Sequence, residues 1–181
     1  MIHTILSADA WFENWMLSLR TPFFLQAFNG VTWFGNTATV IGIAALIGIF
    51  CLYHTPYRRY LAGFVVTLGG AAATAYALKE IIGRARPGGL IPSAVESSFS
   101  FPSGHATLGV ALYGFIAFIL CRRYPERAKA IIVTAAIVIL AIGFSRLYLG
   151  LHFPTDVIGG YLVGVLWLFF GIEITKRLQK D

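Results

Sequence analysis

Long apolar runs, separated by short polar clusters, dominate the chain. Five of them are long enough to cross a bilayer, whose hydrocarbon core requires about 20 helical residues. They cover approximately Val31–Tyr53, Tyr60–Ile82, His105–Cys121, Ala128–Phe144 and Val157–Ile174. Because lipid cannot satisfy the exposed backbone groups of an open sheet, these runs predict helices. The pattern therefore predicts an all-α fold: an integral membrane helix bundle with about five transmembrane helices.

The chain before the first run is less apolar and mixes aromatic with acidic side chains. Residues 8–19 combine Trp11 and Trp15 with Asp9 and Glu13. At about 3.6 residues per turn they predict an amphipathic helix with an aromatic face. Tryptophan favours the boundary between lipid and water, so we expect this helix to lie flat at the membrane interface.

Composition supports a single membrane domain. Of the 181 residues, 57% are hydrophobic and only 12% are charged, outside the usual range for a soluble domain. We divide the chain into an interfacial segment, residues 1–30, and one transmembrane domain, residues 31–181. The net charge of +6 does not indicate a nucleic-acid partner, because the basic residues form short clusters between apolar runs instead of a basic groove. The expected surroundings are the lipid bilayer.

The basic residues also orient the bundle. One set of loops carries Arg58, Arg59, Arg122, Arg123, Arg127, Lys129, Lys176, Arg177 and Lys180. The other carries Arg20, Lys79, Arg84, Arg86 and Arg146. Cytoplasmic loops hold the excess of Lys and Arg, which predicts a cytoplasmic C-terminus in a multi-pass protein of the inner (plasma) membrane. Loops 83–104 and 145–156 then share the outer face, so a site built from both would face the periplasm or the exterior.

Those two outer loops contain three polar elements. In the first, Lys79 and Arg86 are seven residues apart, about two helical turns, so both can point along one side of a helix that Pro87 ends. Cations at a membrane edge also extend toward lipid headgroups without further function. In the second, Ser103 is suited to cap the third span, and Gly104 would let an anion approach the free N–H groups there. His105 lies at the same helix end.

The third element pairs a histidine with a carboxylate. Asp156 follows His152 by four residues, after Arg146 and just beyond Pro154, which suits the first turn of a helix. At that spacing the carboxylate can accept a hydrogen bond from one ring nitrogen, leaving the lone pair of the other free to attack. Asp156 could instead only cap the helix, and the two roles are compatible.

Together these groups match the needs of phosphoryl transfer. Cations and N–H donors stabilise the negative charge of the transferred group, one neutral histidine attacks phosphorus, and a second protonates the leaving oxygen. Glu80 and Glu96 are isolated, and no cluster of Asp, Glu and His has metal-ligand spacing. We therefore expect a reaction without a metal ion or another cofactor.

In combination, the three elements resemble the signature of type 2 phosphatidic acid phosphatases, membrane relatives of glucose-6-phosphatase and vanadium haloperoxidases. The family pattern is Lys-x6-Arg-Pro, Pro-Ser-Gly-His and Ser-Arg-x5-His-x3-Asp, and every defined position matches within residues 79–156. The resemblance implies a helix bundle with a metal-independent site and a phosphohistidine intermediate. This chain differs from the family in the number of spans: bacterial members often have six, whereas five are expected here.

The resemblance also implies a role for each matching residue. His152 would be the nucleophile, Asp156 its orienting carboxylate, and His105 the general acid and then the base for water. The residues that would hold the phosphate are Lys79, Arg86, Ser103, Gly104 and Arg146. Arg84 lies outside the family pattern, and we expect it to be an auxiliary contact.

The sequence thus predicts a lipid phosphatase acting on a phosphomonoester or pyrophosphate of a membrane lipid. Undecaprenyl pyrophosphate is favoured because the site is expected to face outward; phosphatidylglycerophosphate, phosphatidic acid and a lipid A phosphate are the other candidates. A phosphotransferase would differ only in its acceptor. A transporter is disfavoured because the charges gather at one membrane face, and a vanadate-dependent peroxidase because the site is embedded in the membrane.

Overall fold

A computed structural model describes residues 2–88 and 98–179, and within these ranges every regular element is helical. The helices are α1 (Ile2–Ser18), α2 (Pro22–Thr32), α3 (Thr37–Tyr53), α4 (Thr55–Arg58), α5 (Leu61–Ile82), α6 (Gly104–Arg123), α7 (Ala128–Tyr148) and α8 (Pro154–Arg177). Short 3-10 turns precede α3 and α7. Glu96 and Lys180, which entered the sequence argument, lie outside the described residues. The all-α prediction is confirmed.

Among the described residues, four helices are long and apolar enough to cross a membrane: α5, α6, α7 with its preceding turn, and α8. A fifth span results if Pro22–Gly35 and Thr37–Tyr53, which meet at 42°, are counted as one bent span. The protein is therefore a multi-span membrane protein. The third and fourth predicted spans, His105–Cys121 and Ala128–Phe144, are longer in the structure than the sequence edges indicated.

The predicted first span, Val31–Tyr53, is not one continuous helix. Val31 belongs to α2, and a 3-10 turn at Trp33–Gly35 follows it. Asn36 then takes an extended conformation, and its side-chain oxygen accepts a hydrogen bond of 2.9 Å from the Ala38 N–H. This is a helix N-cap, so a new helix starts here although the hydrophobicity is uninterrupted. The boundary placed at residue 30 consequently falls inside α2.

The amphipathic pattern of α1 does not place its polar residues at the surface throughout. Trp11 is 67% exposed, whereas Asp9 is 2% exposed and points toward the bundle. The helix lies beside α7 and α8. Burial of a charged carboxylate is unfavourable unless the carboxylate is paired, so Asp9 is expected to have partners in the bundle. The interfacial location of α1 remains a prediction.

Close packing of α6 against α8 sets the distance between the two helices that begin at the site. A Cβ atom at Gly160 would lie 2.6 Å from the Ser103 carbonyl oxygen, and one at Gly164 would lie 2.6 Å from the Val110 Cβ. Neither glycine therefore tolerates a side chain. Small residues at these two positions let the membrane helices approach closely. This contact brings the N-termini of α6 and α8 together, and the Ser103 N–H donates to the Asp156 carbonyl oxygen at 2.9 Å.

The two ends of the bundle differ in chemistry. At one end a cavity is lined by Arg59, Arg122, Lys176 and Arg177, all members of the larger basic set in the sequence. In between, apolar side chains such as Phe64 and Phe115 pack in the core, while others such as Ile137 and Leu162 are more than half exposed, as expected on a lipid-facing surface. The opposite end contains His152 and Asp156.

Candidate active site

His152 lies in the short connection between α7 and α8. The chain leaves α7 through Gly150, whose φ of 68° is in the left-handed region that favours glycine. The Leu151 N–H then donates to the Arg146 carbonyl oxygen at 3.0 Å, which ties the connection to the last turn of α7. This turn directs the His152 side chain inward, where the residue is 3% exposed.

The contacts of the two ring nitrogens define the His152 tautomer. Nε2 lies 3.2 Å from Nη1 of Arg86, and guanidinium groups only donate hydrogen bonds, so Nε2 must accept. Nδ1 lies 3.4 Å from Oδ2 of Asp156 and therefore carries the proton. The imidazole thus has its proton on Nδ1 and a lone pair on Nε2.

The surroundings of His152 keep it neutral. Burial lowers the pKa of its imidazole from 6.5 to about 4, although the hydrogen bond that the ring donates to Asp156 raises the pKa. The positive charges of Arg146 and Arg86 lower the pKa further. At neutral pH the ring is therefore uncharged, which is the state a nucleophile requires.

We expect nuclear magnetic resonance of the ¹⁵N-histidine-labelled protein to show His152 neutral and protonated on Nδ1 from pH 8 down to about pH 5. Protonation should begin only as the pH approaches the lowered pKa of about 4. The groups that face the ring are Asp156 from α8, Arg146 from α7 and Arg86 from the segment that follows α5. Titration of His152 near 6.5 would contradict this expectation.

Asp156 is fully buried at the start of α8 and accepts from three directions. The Phe153 N–H donates to Oδ2 at 2.9 Å, which is a helix cap. The Ser100 hydroxyl donates to the same oxygen, and Arg84 Nη1 donates to Oδ1 at 2.7 Å. The capping and histidine-orienting roles that the sequence left open are therefore both compatible with its position.

Arg86 and Lys79 meet at the loop that precedes α6. Arg86 donates to the Ser98 carbonyl oxygen at 2.8 Å and to the Leu151 carbonyl oxygen at 2.8 Å. Lys79 donates to the Phe99 carbonyl oxygen, which also lies 3.4 Å from Nη2 of Arg86. Both cations therefore lie on the same side of His152, where oxygens of an incoming phosphate could replace these carbonyl contacts.

The start of α6 brings the second predicted element to the same place. Ser103 is fully buried, and its hydroxyl has no hydrogen-bond partner among residues 2–88 and 98–179. A Cβ atom built on Gly104 would meet nothing within 4 Å, so there is open space beside its backbone. His105 is half-buried, and its ring contacts the 3-10 turn at Gly35. An orphaned hydroxyl beside open space suits an anion at this helix N-terminus.

Arg146, near the end of α7, is 2% exposed and donates to the Thr32 hydroxyl at 2.8 Å. Its charge acts on His152, as the lowered pKa shows. Within the described ranges, no group of three or more His, Cys, Asp or Glu side chains is arranged to hold a metal ion. The charges that a phosphate would meet here are thus those of Arg and Lys.

Four residues of this region were not singled out from the sequence: Asp9, Thr32, Ser100 and Thr155. Arg84, expected as an auxiliary contact, bridges the Asp9 and Asp156 carboxylates, both at 2.7 Å. Thr155 and Ser100 are neighbours of motif residues, so proximity in sequence was a usable signal for them. Asp9 is 75 residues from Arg84 and 146 from Thr155, Thr32 is 114 residues from Arg146, and no local pattern marks either residue.

The three polar elements lie in a region of the chain that matches a known protein family. A family model described as the PAP2 superfamily matches residues 60–180, which include every residue of the three polar elements. The chain belongs to the PAP2 superfamily. The resemblance drawn from the motifs is therefore confirmed, and so is the prediction of a phosphatase.

Two relatives are similar to the PAP2 chain over almost all of its length. Phosphatidylglycerophosphatase B of Bacillus subtilis is 35% identical over 99% of this chain and 90% of its own. A lipid A 4'-phosphatase of Bacteroides thetaiotaomicron is 27% identical over 100% of this chain and 84% of its own. The protein is accordingly a PAP2 lipid phosphatase, and its relatives act on different lipids.

Solved structures agree with the fold. The crystal structure of a transmembrane PAP2-type phosphatidylglycerolphosphate phosphatase from Bacillus subtilis superposes with a TM-score of 0.87, at 30% identity, covering 96% of this chain and 87% of that one. The structure of Aquifex aeolicus LpxE gives a TM-score of 0.70 at 18% identity, covering 94% and 95%, and so supports the fold alone.

Proposed function

We propose that this PAP2 phosphatase hydrolyses the terminal phosphate of phosphatidylglycerophosphate at the outer membrane face, through a phosphohistidine on Nε2 of His152. The observation that carries the proposal is the state of His152: neutral, protonated on Nδ1 beside Asp156, with the Nε2 lone pair directed toward Arg86. A nucleophile needs an unprotonated lone pair, and Nε2 has one without prior deprotonation once an incoming phosphate takes over the contact with Arg86.

In the first step the Nε2 lone pair forms a bond to phosphorus, and the bond from phosphorus to the lipid oxygen breaks. His105 gives a proton to that leaving oxygen. In the second step the neutral His105 takes a proton from water, whose oxygen attacks phosphorus and breaks the bond to His152. Inorganic phosphate is released, and both histidines return to their original state. Asp156 stabilises the positive charge that develops on the His152 ring during transfer.

The phosphate-binding groups act by charge. Lys79, Arg86 and Arg146, with the Ser103 hydroxyl and the Gly104 N–H, would contact the phosphoryl oxygens, whose negative charge is greatest in transfer. The carbonyl contacts that Arg86 and Lys79 now make are neutral, so a phosphate would compete with them effectively. The reaction proposed here uses no metal ion.

The choice of lipid rests on the extent of similarity. Phosphatidylglycerophosphatase B aligns over nearly the whole chain, whereas an undecaprenyl-diphosphatase of Sulfolobus acidocaldarius is 31% identical over only 46% of it. The outward orientation inferred from the basic loops does not separate the two lipids. Phosphatidylglycerophosphate is therefore the first substrate proposed, and undecaprenyl pyrophosphate, favoured by the sequence argument, is the second.

The test measures inorganic phosphate released by the purified protein from phosphatidylglycerophosphate, undecaprenyl pyrophosphate, phosphatidic acid and lipid A. Each reaction is run with EDTA, with added Mg²⁺, and with diacylglycerol as an acceptor, which a phosphotransferase would convert to phosphatidic acid. We expect the highest kcat/KM for phosphatidylglycerophosphate, with the same rate in EDTA. A preference for another lipid would overturn the substrate assignment, and activity restored only by Mg²⁺ would overturn the metal-free mechanism.

A further inference from the structure

A carboxylate from the N-terminal helix is buried against the site without being part of the family motifs. Asp9 is 2% exposed and accepts from Arg84 Nη2 at 2.7 Å. It also accepts from the Thr155 hydroxyl at 2.5 Å and from the Thr155 N–H at 3.3 Å. Asp9 therefore forms an ion pair with Arg84 near the start of α8.

Arg84 transmits this charge to the site. Its guanidinium lies between the two carboxylates, with Nη2 on Asp9 and Nη1 on Asp156. Nη1 also donates to the Thr155 hydroxyl at 2.6 Å, and the group stacks on the Phe153 ring at 4.2 Å. Arg84 is thus held in one place by three acceptor oxygens and an aromatic face.

The two oxygens of Asp156 have different partners. Oδ1 faces Arg84, while Oδ2 faces His152. If Asp9 were uncharged, Arg84 would be attracted to Asp156 alone and would withdraw its negative charge from the imidazole. Because Arg84 pairs with both Asp9 and Asp156, its attraction is divided between two carboxylates. The negative charge of Asp9 thus preserves the charge that Asp156 directs at His152.

We infer that Asp9 is a positioning residue for phosphoryl transfer, acting through Arg84 and Thr155 to fix Asp156 and preserve its charge toward His152. The inference rests on the proposed function, since it assigns Asp9 a role in the step that His152 performs. It also gives α1 a part in the reaction beyond contact with the membrane.

Asp9→Asn tests this with little change of shape. We expect kcat for phosphatidylglycerophosphate to fall about 10- to 100-fold, the range for residues that orient an active group through a second residue. KM should change little, because Asp9 does not touch the phosphate. Asp9→Glu, which keeps the charge but displaces it, should give an intermediate kcat. The matched control is Glu13→Gln, which removes a carboxylate one turn further along α1 and should leave kcat unchanged.

A double variant separates charge balance from helix docking. With Asp9→Asn/Arg84→Gln, the unbalanced cation is gone, so we expect a kcat above the product of the two single losses. The inference would be overturned by a double-variant kcat equal to the product of the two single losses. A wild-type kcat in Asp9→Asn would overturn it as well. If Asp9→Asn does not fold, as judged by its thermal unfolding in detergent, the double variant is compared with Arg84→Gln. Without Arg84, the loss of the Asp9 charge should lower kcat little further, and a further loss of about tenfold or more would overturn the inference.

Trapping of the phosphoenzyme separates this inference from the proposed function. Wild-type protein is mixed with ³²P-labelled phosphatidylglycerophosphate and quenched in alkali, in which phosphohistidine survives. No label on wild-type His152 would contradict the proposed mechanism, whatever Asp9 does. Label that forms in wild type and equally fast in Asp9→Asn would contradict only the role of Asp9. We expect slower labelling in Asp9→Asn than in wild type or Glu13→Gln.

Discussion

Replacement of His152 with glutamine is expected to reduce phosphate release from lipid phosphates by about 10⁴-fold or more, as when other enzymes lose their nucleophile. The amide keeps a donor and an acceptor at this 3%-exposed position, so the fold should be retained. It has no lone pair on nitrogen that can bond to phosphorus, and the covalent intermediate should therefore disappear. The measurement is phosphate release together with the ³²P-labelled phosphoenzyme.

His54→Gln is the matched control for that experiment. His54 caps α3 at the other end of the bundle and is exposed, with Nδ1 3.0 Å from the Phe50 carbonyl oxygen. This variant should keep both full turnover and the phosphoenzyme. A folded His152→Gln protein with near-normal turnover would exclude His152 as the nucleophile.

The second large effect is expected for Asp156→Asn, with a fall in kcat of about 10³- to 10⁴-fold. Asparagine is nearly isosteric, and its oxygen is expected at the Oδ1 position, because Arg84 Nη1 donates there at 2.7 Å. The amide nitrogen then replaces Oδ2, so α8 loses the cap that Oδ2 provides for the Phe153 N–H. From that position an amide N–H would donate to Nδ1 of His152 and move the ring proton to Nε2. That tautomer has no lone pair facing the phosphate.

Kinetics and spectroscopy together check the Asp156 prediction. Histidine ¹⁵N shifts should report the proton on Nε2 in the variant and on Nδ1 in the wild type. A loss of less than tenfold, with the tautomer unchanged, would mean that Asp156 serves only as a helix cap.

Much of the site could be predicted because its elements are local in sequence. Each motif is a short stretch whose spacing already decides which side chains point together. Helices that alternate in direction then bring the end of α5, the start of α6, the end of α7 and the start of α8 to one face. Once the spans were assigned, His105 and His152 were expected at the same end.

What could not be predicted depends on contacts between distant segments. Residues 31–53 are almost uniformly apolar, so hydropathy alone could not reveal that Asn36 caps a new helix there. The pattern of α1 shows that it is amphipathic but not which neighbour it docks against. For that reason Asp9 was counted with the polar face, although its partner Arg84 lies 75 residues further along the chain.

The contacts of the N-terminal helices bear on what constitutes the catalytic unit. The family match begins at residue 60, yet Asp9 holds Arg84, Thr32 holds Arg146, and the 3-10 turn at Gly35 packs against His105. A fragment that started at Tyr60 would contain every motif residue but none of these supports. The three motifs alone are therefore not the complete catalytic unit. A shortened or grafted version of the protein would have to include the first 36 residues.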